Sequence, residues 1–204
     1  MVRPPTIELI SHAGEKFDKD NEVIEQALYE LFRQFPANTN HGHVLLKVVT
    51  LNRLYATQIF AVTTVAEHIY NNAAEIDRGI ATGSPEVVDK TGKVVIQGKT
   101  YNFFSFATKY CNWHQPDLFP IYDSNVESYL WSLQKQECFT KNKFKRKALW
   151  QFPDFVEIMK SFRDHYGLQQ FSFKEIDKFL WQEGAPVGNG PEAVSGIDEA
   201  HQLQ

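Results

Sequence analysis

Apolar residues recur every three or four positions over long stretches of this 204-residue chain, and this spacing constrains the fold more than any other feature. The stretch from Asp20 to Phe35 is one example, because its apolar side chains share one helix face before Pro36 ends the pattern. Further stretches that fit helices lie at 44–55, 58–78, 101–113, 124–134, 150–166 and 172–183. The sequence therefore predicts a mainly α-helical fold.

Strand-like patterns are few. Residues 87–96 alternate around Lys90-Thr91-Gly92, which predicts at most a small β-hairpin. The β-branched residues of 44–55 leave a strand possible there as well. We expect residues 1–183 to form a single helical domain, and residues 184–204, which are rich in Gly, Pro and polar residues, to form a disordered acidic tail.

Composition and motifs exclude several classes of protein. The sequence contains no run of 18 apolar residues, so it predicts no transmembrane helix. The first twenty residues contain no apolar signal region, and we therefore expect a cytoplasmic protein. Cys111 and Cys138 are too few for a disulfide scaffold or a four-cysteine zinc site. His41-Gly42-His43 lacks further ligands at metal-site spacing, so we expect no metal and no cofactor.

Charge is distributed unevenly along the chain. The net charge is -4, and removing the residues from Gln182 onward, which contain four acidic and no basic residues, leaves a neutral body. Within that body lies a basic loop, which we define as Lys141, Lys143, Lys145, Arg146 and Lys147. Such a loop is able to bind a phosphate backbone, but it is equally typical of a solvated surface segment.

Residues 105–131 contain the most site-like combination of side chains. Lys109 lies in an apolar and aromatic stretch, where partial burial would disfavour its ammonium form and lower its pKa, giving an amine that forms Schiff bases. Asp123 follows a loop bracketed by Pro116 and Pro120 and precedes a predicted helix, where a carboxylate stays ionised and stabilises a developing cation. The alternatives are a surface lysine and a carboxylate that only caps its helix.

Four more residues lie beside this pair in the sequence. Trp113, His114 and Tyr122 are candidates for holding an extruded base, and Gln115 is a candidate for reading its edge. The alternative is that the loop simply packs onto the core. Both interpretations stay open from the residues alone.

The pair Thr108-Lys109, followed by Pro120-Ile121-Tyr122-Asp123, resembles the end of the helix-hairpin-helix DNA glycosylases, especially the 8-oxoguanine branch. The chain also looks like a group of small bacterial proteins described as having an 8-oxoguanine glycosylase fold. The resemblance implies a helical glycosylase-like domain and a DNA repair enzyme acting as glycosylase (hydrolase) and AP lyase. By this resemblance Lys109 attacks C1′ of a damaged nucleotide and Asp123 assists glycosidic cleavage, with DNA as partner.

The chain departs from that family in three ways. The segment from Asn102 to Ala107 lacks the glycines with which the family binds a DNA phosphate, the spacing from Lys109 to Asp123 is shorter, and no iron–sulfur cysteine set is present. The basic loop is a candidate replacement for the missing phosphate contact. Two other interpretations remain: a non-catalytic nucleic-acid-binding module in a defence or regulatory system, and a small helical interaction protein.

Overall fold

The computed structural model describes residues 2–184, which are mainly helical and carry one small antiparallel hairpin, as the sequence predicts. The helices are α1 (Ile7–Gln34), α2 (His41–Leu54), α3 (Val62–Asn71), α4 (Ala73–Thr82), α5 (Glu86–Gly92), α6 (Phe104–His114), α7 (Ser124–Gln136), α8 (Phe152–His165) and α9 (Phe173–Gly184). The strands are β1 (Lys93–Ile96) and β2 (Lys99–Asn102), and a 3₁₀ helix spans Arg146–Trp150.

Helix α1 begins thirteen residues before the predicted start at Asp20, so that prediction is wrong. Thr6 caps the helix, because its hydroxyl accepts a hydrogen bond from the Leu9 backbone N–H at 3.3 Å. The early turns pack against α9, where the rings of Phe17 and Trp181 meet edge to face. Tertiary contact therefore stabilises a polar segment that has little helical pattern of its own.

The segment 58–78, predicted as one helix, is divided at Asn72 into α3 and α4. The Asn72 side-chain amide donates to the His68 carbonyl at 2.8 Å, a local bond that competes with the helix ladder. The preceding residues form a loop in which Ala56 and Gln58 adopt positive φ angles of 47° and 57°. Helix α3 consequently starts only at Val62.

The hairpin lies later in the chain than predicted. Lys90-Thr91-Gly92 is the end of α5 and not a turn, and the strands pair Lys93 with Asn102 and Ile96 with Lys99. The turn is Gln97-Gly98, both at positive φ, which suits a two-residue hairpin. Gly92 is needed for packing, because a Cβ there would lie 2.9 Å from the Cβ of Ala107 on α6.

One hydrophobic core connects residues from Ile10 to Leu180, and α6 crosses it with residues 106–112 all buried. Beneath α6, the fully buried Lys47 ammonium donates to the Phe35 carbonyl at 3.1 Å and to Asn38 Oδ1 at 2.6 Å. Asn38 is fixed in turn by Asp77 of α4. The Tyr110 hydroxyl of α6 also donates to Asn38 Oδ1, so this cluster is bonded to the helix that carries Lys109.

Two sequence predictions concern the ends and surroundings of this domain. No helix within residues 2–184 is both long and apolar enough to cross a membrane. The predicted acidic tail lies outside the described residues, except for Gly184, which ends α9.

Candidate active site

Lys109 lies in the middle of α6, and its side chain is only 3% exposed. Its Nζ contacts three oxygens: Ser105 Oγ at 2.7 Å, the Tyr122 carbonyl at 3.2 Å and Asp123 Oδ2 at 3.2 Å. The ring of Tyr55 lies 5.7 Å from the same nitrogen. A buried lysine is therefore directed at one carboxylate and does not extend into solvent.

The two carboxylate oxygens of Asp123 have different partners. Oδ1 accepts from the Asn125 backbone N–H at 2.9 Å and so caps α7, while Oδ2 faces Lys109. The side chain is 21% exposed, so the ion pair opens toward solvent on the Asp123 side.

The loop between α6 and α7 is fixed to α6 by two side chains. Thr108 Oγ1 accepts from the Tyr122 backbone N–H at 3.0 Å, and Asn112 Nδ2 donates to the Phe119 carbonyl at 2.7 Å. Both side chains are fully buried. These bonds come from the residue before Lys109 and from the third residue after it. They therefore fix the position of the loop, and with it Asp123, relative to Lys109.

A loop with left-handed residues forms another wall of the site. Asn52 holds it: its Oδ1 accepts from the Ile59 backbone N–H at 2.8 Å, and its Nδ2 donates to the Ile59 carbonyl at 3.0 Å. This brings Tyr55 beside Lys109, with the Tyr55 hydroxyl accepting from Trp113 Nε1 at 3.1 Å. Backbone strain of this kind is concentrated at functional sites in proteins.

Three charged residues around the site were not identified from the sequence: Glu25 of α1 and Lys174 and Asp177 of α9. The Lys174 Nζ lies 2.6 Å from Glu25 Oε2 and 3.5 Å from the centre of the Trp113 ring. They come from the two ends of the described chain, and only the i,i+3 spacing of Lys174 and Asp177 places two of them on one helix face. No local pattern links them to Lys109.

Asp177 is unusual among these residues. Its Oδ1 is buried and has no hydrogen-bond partner among residues 2–184. Burial raises the pKa of the carboxyl to about 8, with Asp123 and Glu25 raising it further and Lys109 and Lys174 opposing them. The site therefore contains, beside Lys109 and Asp123, a carboxyl at Asp177 that stays largely protonated at neutral pH.

The four residues predicted to hold a substrate are placed differently from one another. Trp113 lines the site, and Tyr122 contributes its carbonyl to Lys109 while its hydroxyl donates to Glu127. Gln115 is exposed at the C-cap of α6. His114 contacts Lys47 at 3.3 Å, where burial and the Lys47 charge lower its pKa to about 3.

The basic loop runs between α7 and α8. Its four lysines are exposed, and none of them forms an ion pair within the part of the chain that the structure describes. Arg146 differs, because its Nε donates to the buried Glu127. Glu127 also accepts from the Tyr122 hydroxyl, so the loop is anchored next to the Lys109 site.

No group of three or more His, Cys, Asp or Glu residues able to hold a metal ion occurs within residues 2–184.

Comparison with known proteins identifies the family. The model of the HI_0787_N family, described as an N-terminal domain, matches residues 8–118, which is more than half of the chain. The chain belongs to the HI_0787_N family. The matched part contains Lys109 and Trp113 but ends before Asp123.

A relative of this HI_0787_N chain occurs in Haemophilus influenzae, where an uncharacterized protein is 41% identical over 136 residues. That match covers 67% of this chain and 63% of the relative, so less than two thirds of the relative's own length is spanned. No solved structure matches the chain.

Proposed function

We propose that this protein is a DNA base-excision enzyme of the glycosylase/AP lyase type, with Lys109 as nucleophile. The observation that carries the proposal is the position of the Lys109 Nζ, buried and 3.2 Å from the Oδ2 of the helix-capping Asp123. The order Thr108-Lys109 and Pro120 to Asp123, which resembles the helix-hairpin-helix glycosylases, supports the same conclusion. The expected cytoplasmic location belongs to this proposal.

The lysine must lose a proton before it attacks. Asp123 Oδ2 is the nearest carboxylate oxygen and takes that proton. The Nζ–C1′ bond then forms while the bond from C1′ to the base breaks, and its electron pair leaves with the base, which takes up a proton. The nitrogen then forms the C1′=N bond of a protonated Schiff base as the C1′–O4′ bond breaks and O4′ takes up a proton. Loss of a proton from C2′ lets the 3′ phosphate leave with the electron pair of its C3′–O bond, which is the AP lyase step.

The surrounding residues supply a place for the base. The protonated carboxyl of Asp177 is able to donate a hydrogen bond to an acceptor on the base, while the Trp113 ring, which Lys174 covers, borders the site. The lysines of the basic loop replace the glycine-rich phosphate contact that the segment 102–107 lacks. DNA is therefore the expected partner.

A second candidate is a non-catalytic nucleic-acid-binding module on the same fold, in a defence or regulatory system. It is favoured by one observation: the exposed lysines of the basic loop lie outside the Lys109 site, so binding does not require chemistry there. Activity at Lys109 is what separates the two functions.

Borohydride trapping tests the proposal. The protein is incubated with duplex and single-stranded DNA carrying 8-oxoguanine, uracil or an abasic site, and borohydride reduces any Schiff base to a stable adduct. We expect an adduct with the wild type, none with Lys109→Gln, and an unchanged yield with Lys99→Gln, an exposed lysine of β2 that serves as matched control. Circular dichroism checks that each variant is folded.

The outcomes separate the alternatives. An adduct that persists in Lys109→Gln contradicts the assignment of the nucleophile. Salt-dependent DNA binding without any adduct or base release favours the binding module. Absence of both binding and adduct contradicts both functions and favours a protein interaction role.

A further inference from the structure

Trp150 is a large aromatic side chain left half in water. It ends the 3₁₀ helix and is 51% exposed, although its neighbours Leu149 and Phe152 are buried. Its ring packs beside those of Phe104 and Tyr122, with centroids 6.4 Å and 5.3 Å away. The Tyr122 carbonyl contacts Lys109, so the Trp150 ring packs against a residue of the candidate active site.

The segment that carries Trp150 is held in place on both sides. The Ala148 backbone N–H donates to the Lys145 carbonyl at 2.8 Å, and the Gln151 N–H donates to the Ala148 carbonyl at 3.1 Å. Arg146 is bound to Glu127, as described above. The indole ring is thus presented from a fixed backbone, which lowers the entropy cost when a ligand binds to it.

A groove of about 630 Å³ begins beside this segment, between the basic loop and α8. Lys141, Lys145 and Lys147 line one wall, and Asp154 and Glu157 line the other. Glu157 is neutralised by Lys160, whose Nζ lies 2.8 Å away. The three lysines form no ion pair within residues 2–184, so the groove carries a net positive charge along the loop wall.

We propose that Trp150 and this groove bind an unpaired nucleotide strand, with one base stacked on the indole ring and the adjacent phosphates on Lys145 and Lys147. An aromatic face next to a cationic groove is the combination that binds single-stranded nucleic acid, because every base has a π face and every link has a phosphate. The inference rests on the proposed action on DNA, for which it names a second contact beside the lysine.

Fluorescence anisotropy with a labelled oligothymidylate, at several salt concentrations, measures this contact. Trp150→Leu keeps the apolar bulk but removes the π face, whereas Trp150→Phe keeps a smaller π face. We expect Trp150→Leu to weaken binding about 5- to 150-fold with an unchanged salt slope, and Trp150→Phe to stay close to the wild type. Tyr29→Leu, which removes a 58% exposed aromatic ring from α1, is the matched control and should have no effect.

Lys145 and Lys147 are tested by the salt dependence of binding. Replacing both Lys145 and Lys147 with Gln should reduce the slope of log affinity against log salt by about 1.4, because each phosphate contact on a single strand contributes about 0.7. An unchanged slope overturns the role given to these lysines.

The remaining outcomes separate this inference from the proposed function. If Trp150→Leu binds within twofold of the wild type, or if Leu and Phe weaken binding equally, stacking on Trp150 is overturned. If the wild type forms the Lys109 adduct but does not bind the oligothymidylate, this inference fails while the proposed function stands. Binding that depends on Trp150 without any adduct supports the strand contact and contradicts the enzyme.

Discussion

Replacing Asp123 with Asn removes the charge opposite Lys109 while keeping a good helix cap, because Asn and Asp cap helices about equally well. At the observed Nζ–Oδ2 distance of 3.2 Å, two unit charges interact by about 5 kcal/mol at an effective dielectric constant of 20 and by about 1.3 kcal/mol in water. The lysine is 3% exposed and the carboxylate 21%, so the value for this pair lies between those limits. We expect Asp123→Asn to lower the free energy of unfolding by about 3 kcal/mol.

The second half of this prediction concerns the double variant Lys109→Met/Asp123→Asn. It leaves no uncompensated buried charge, so its stability should return to within about 1 kcal/mol of the wild type. Urea unfolding followed by circular dichroism measures both variants, and for a domain of this size the single variant should melt about 6–12 °C lower. The double variant should form no borohydride adduct.

Asp154→Asn is the matched control, because Asp154 is an exposed carboxylate in the first turn of α8. It should change the stability by no more than about 0.5 kcal/mol. The reasoning is refuted if Asp123→Asn is as mild as this control, or if the double variant is as unstable as the single one.

Two further predictions concern charge. Burial raises the pKa of Asp177 to about 8 in the folded protein, above the ordinary value of 3.8. The wild type should therefore lose stability relative to Asp177→Asn as the pH rises from about 4 to 8, by at most about 1.4 kcal/mol per pH unit, and should show no further change above pH 8. Urea unfolding of both proteins at several pH values measures the difference, and a constant difference would contradict the raised pKa. Replacing the four exposed lysines of the basic loop with Gln should reduce the slope of log affinity for duplex DNA against log salt, by about 0.9 for each phosphate that the loop no longer neutralises. Arg146→Gln should mainly lower the free energy of unfolding, by about 1 kcal/mol, because it leaves Glu127 without its cation. Titrations at several salt concentrations test the first, and a lysine variant with the wild-type slope would remove the loop from DNA binding.

The helical fold was predictable because most helices have an apolar face with regular spacing. The parts that were missed depend on distant contacts. The first turns of α1 are stabilised by α9, and the position of the hairpin is determined by a helix, α5, that needs Gly92 against Ala107. Neither contact has a local signal in the sequence.

The candidate site divides in the same way. Lys109 and Asp123 are fourteen residues apart and are joined by a single loop, so their proximity could be inferred from a helix, a loop and a cap. Asp177 and Glu25 reach the site from opposite ends of the chain, and Tyr55 arrives through the strained loop that Asn52 holds. Tertiary packing alone brings these residues together.

The two side chains that fix the loop after α6 have a consequence for where this domain ends. Thr108 and Asn112 lie inside the stretch that defines the HI_0787_N family, but their partners, the Tyr122 N–H and the Phe119 carbonyl, lie beyond residue 118. A chain cut at that boundary would lose these two partners and also the Asp123 carboxylate opposite Lys109, and would leave Lys109 with Ser105 Oγ as its remaining hydrogen-bond partner. The family match therefore ends inside a set of contacts that joins α6 to the loop after it and to the residue that caps α7.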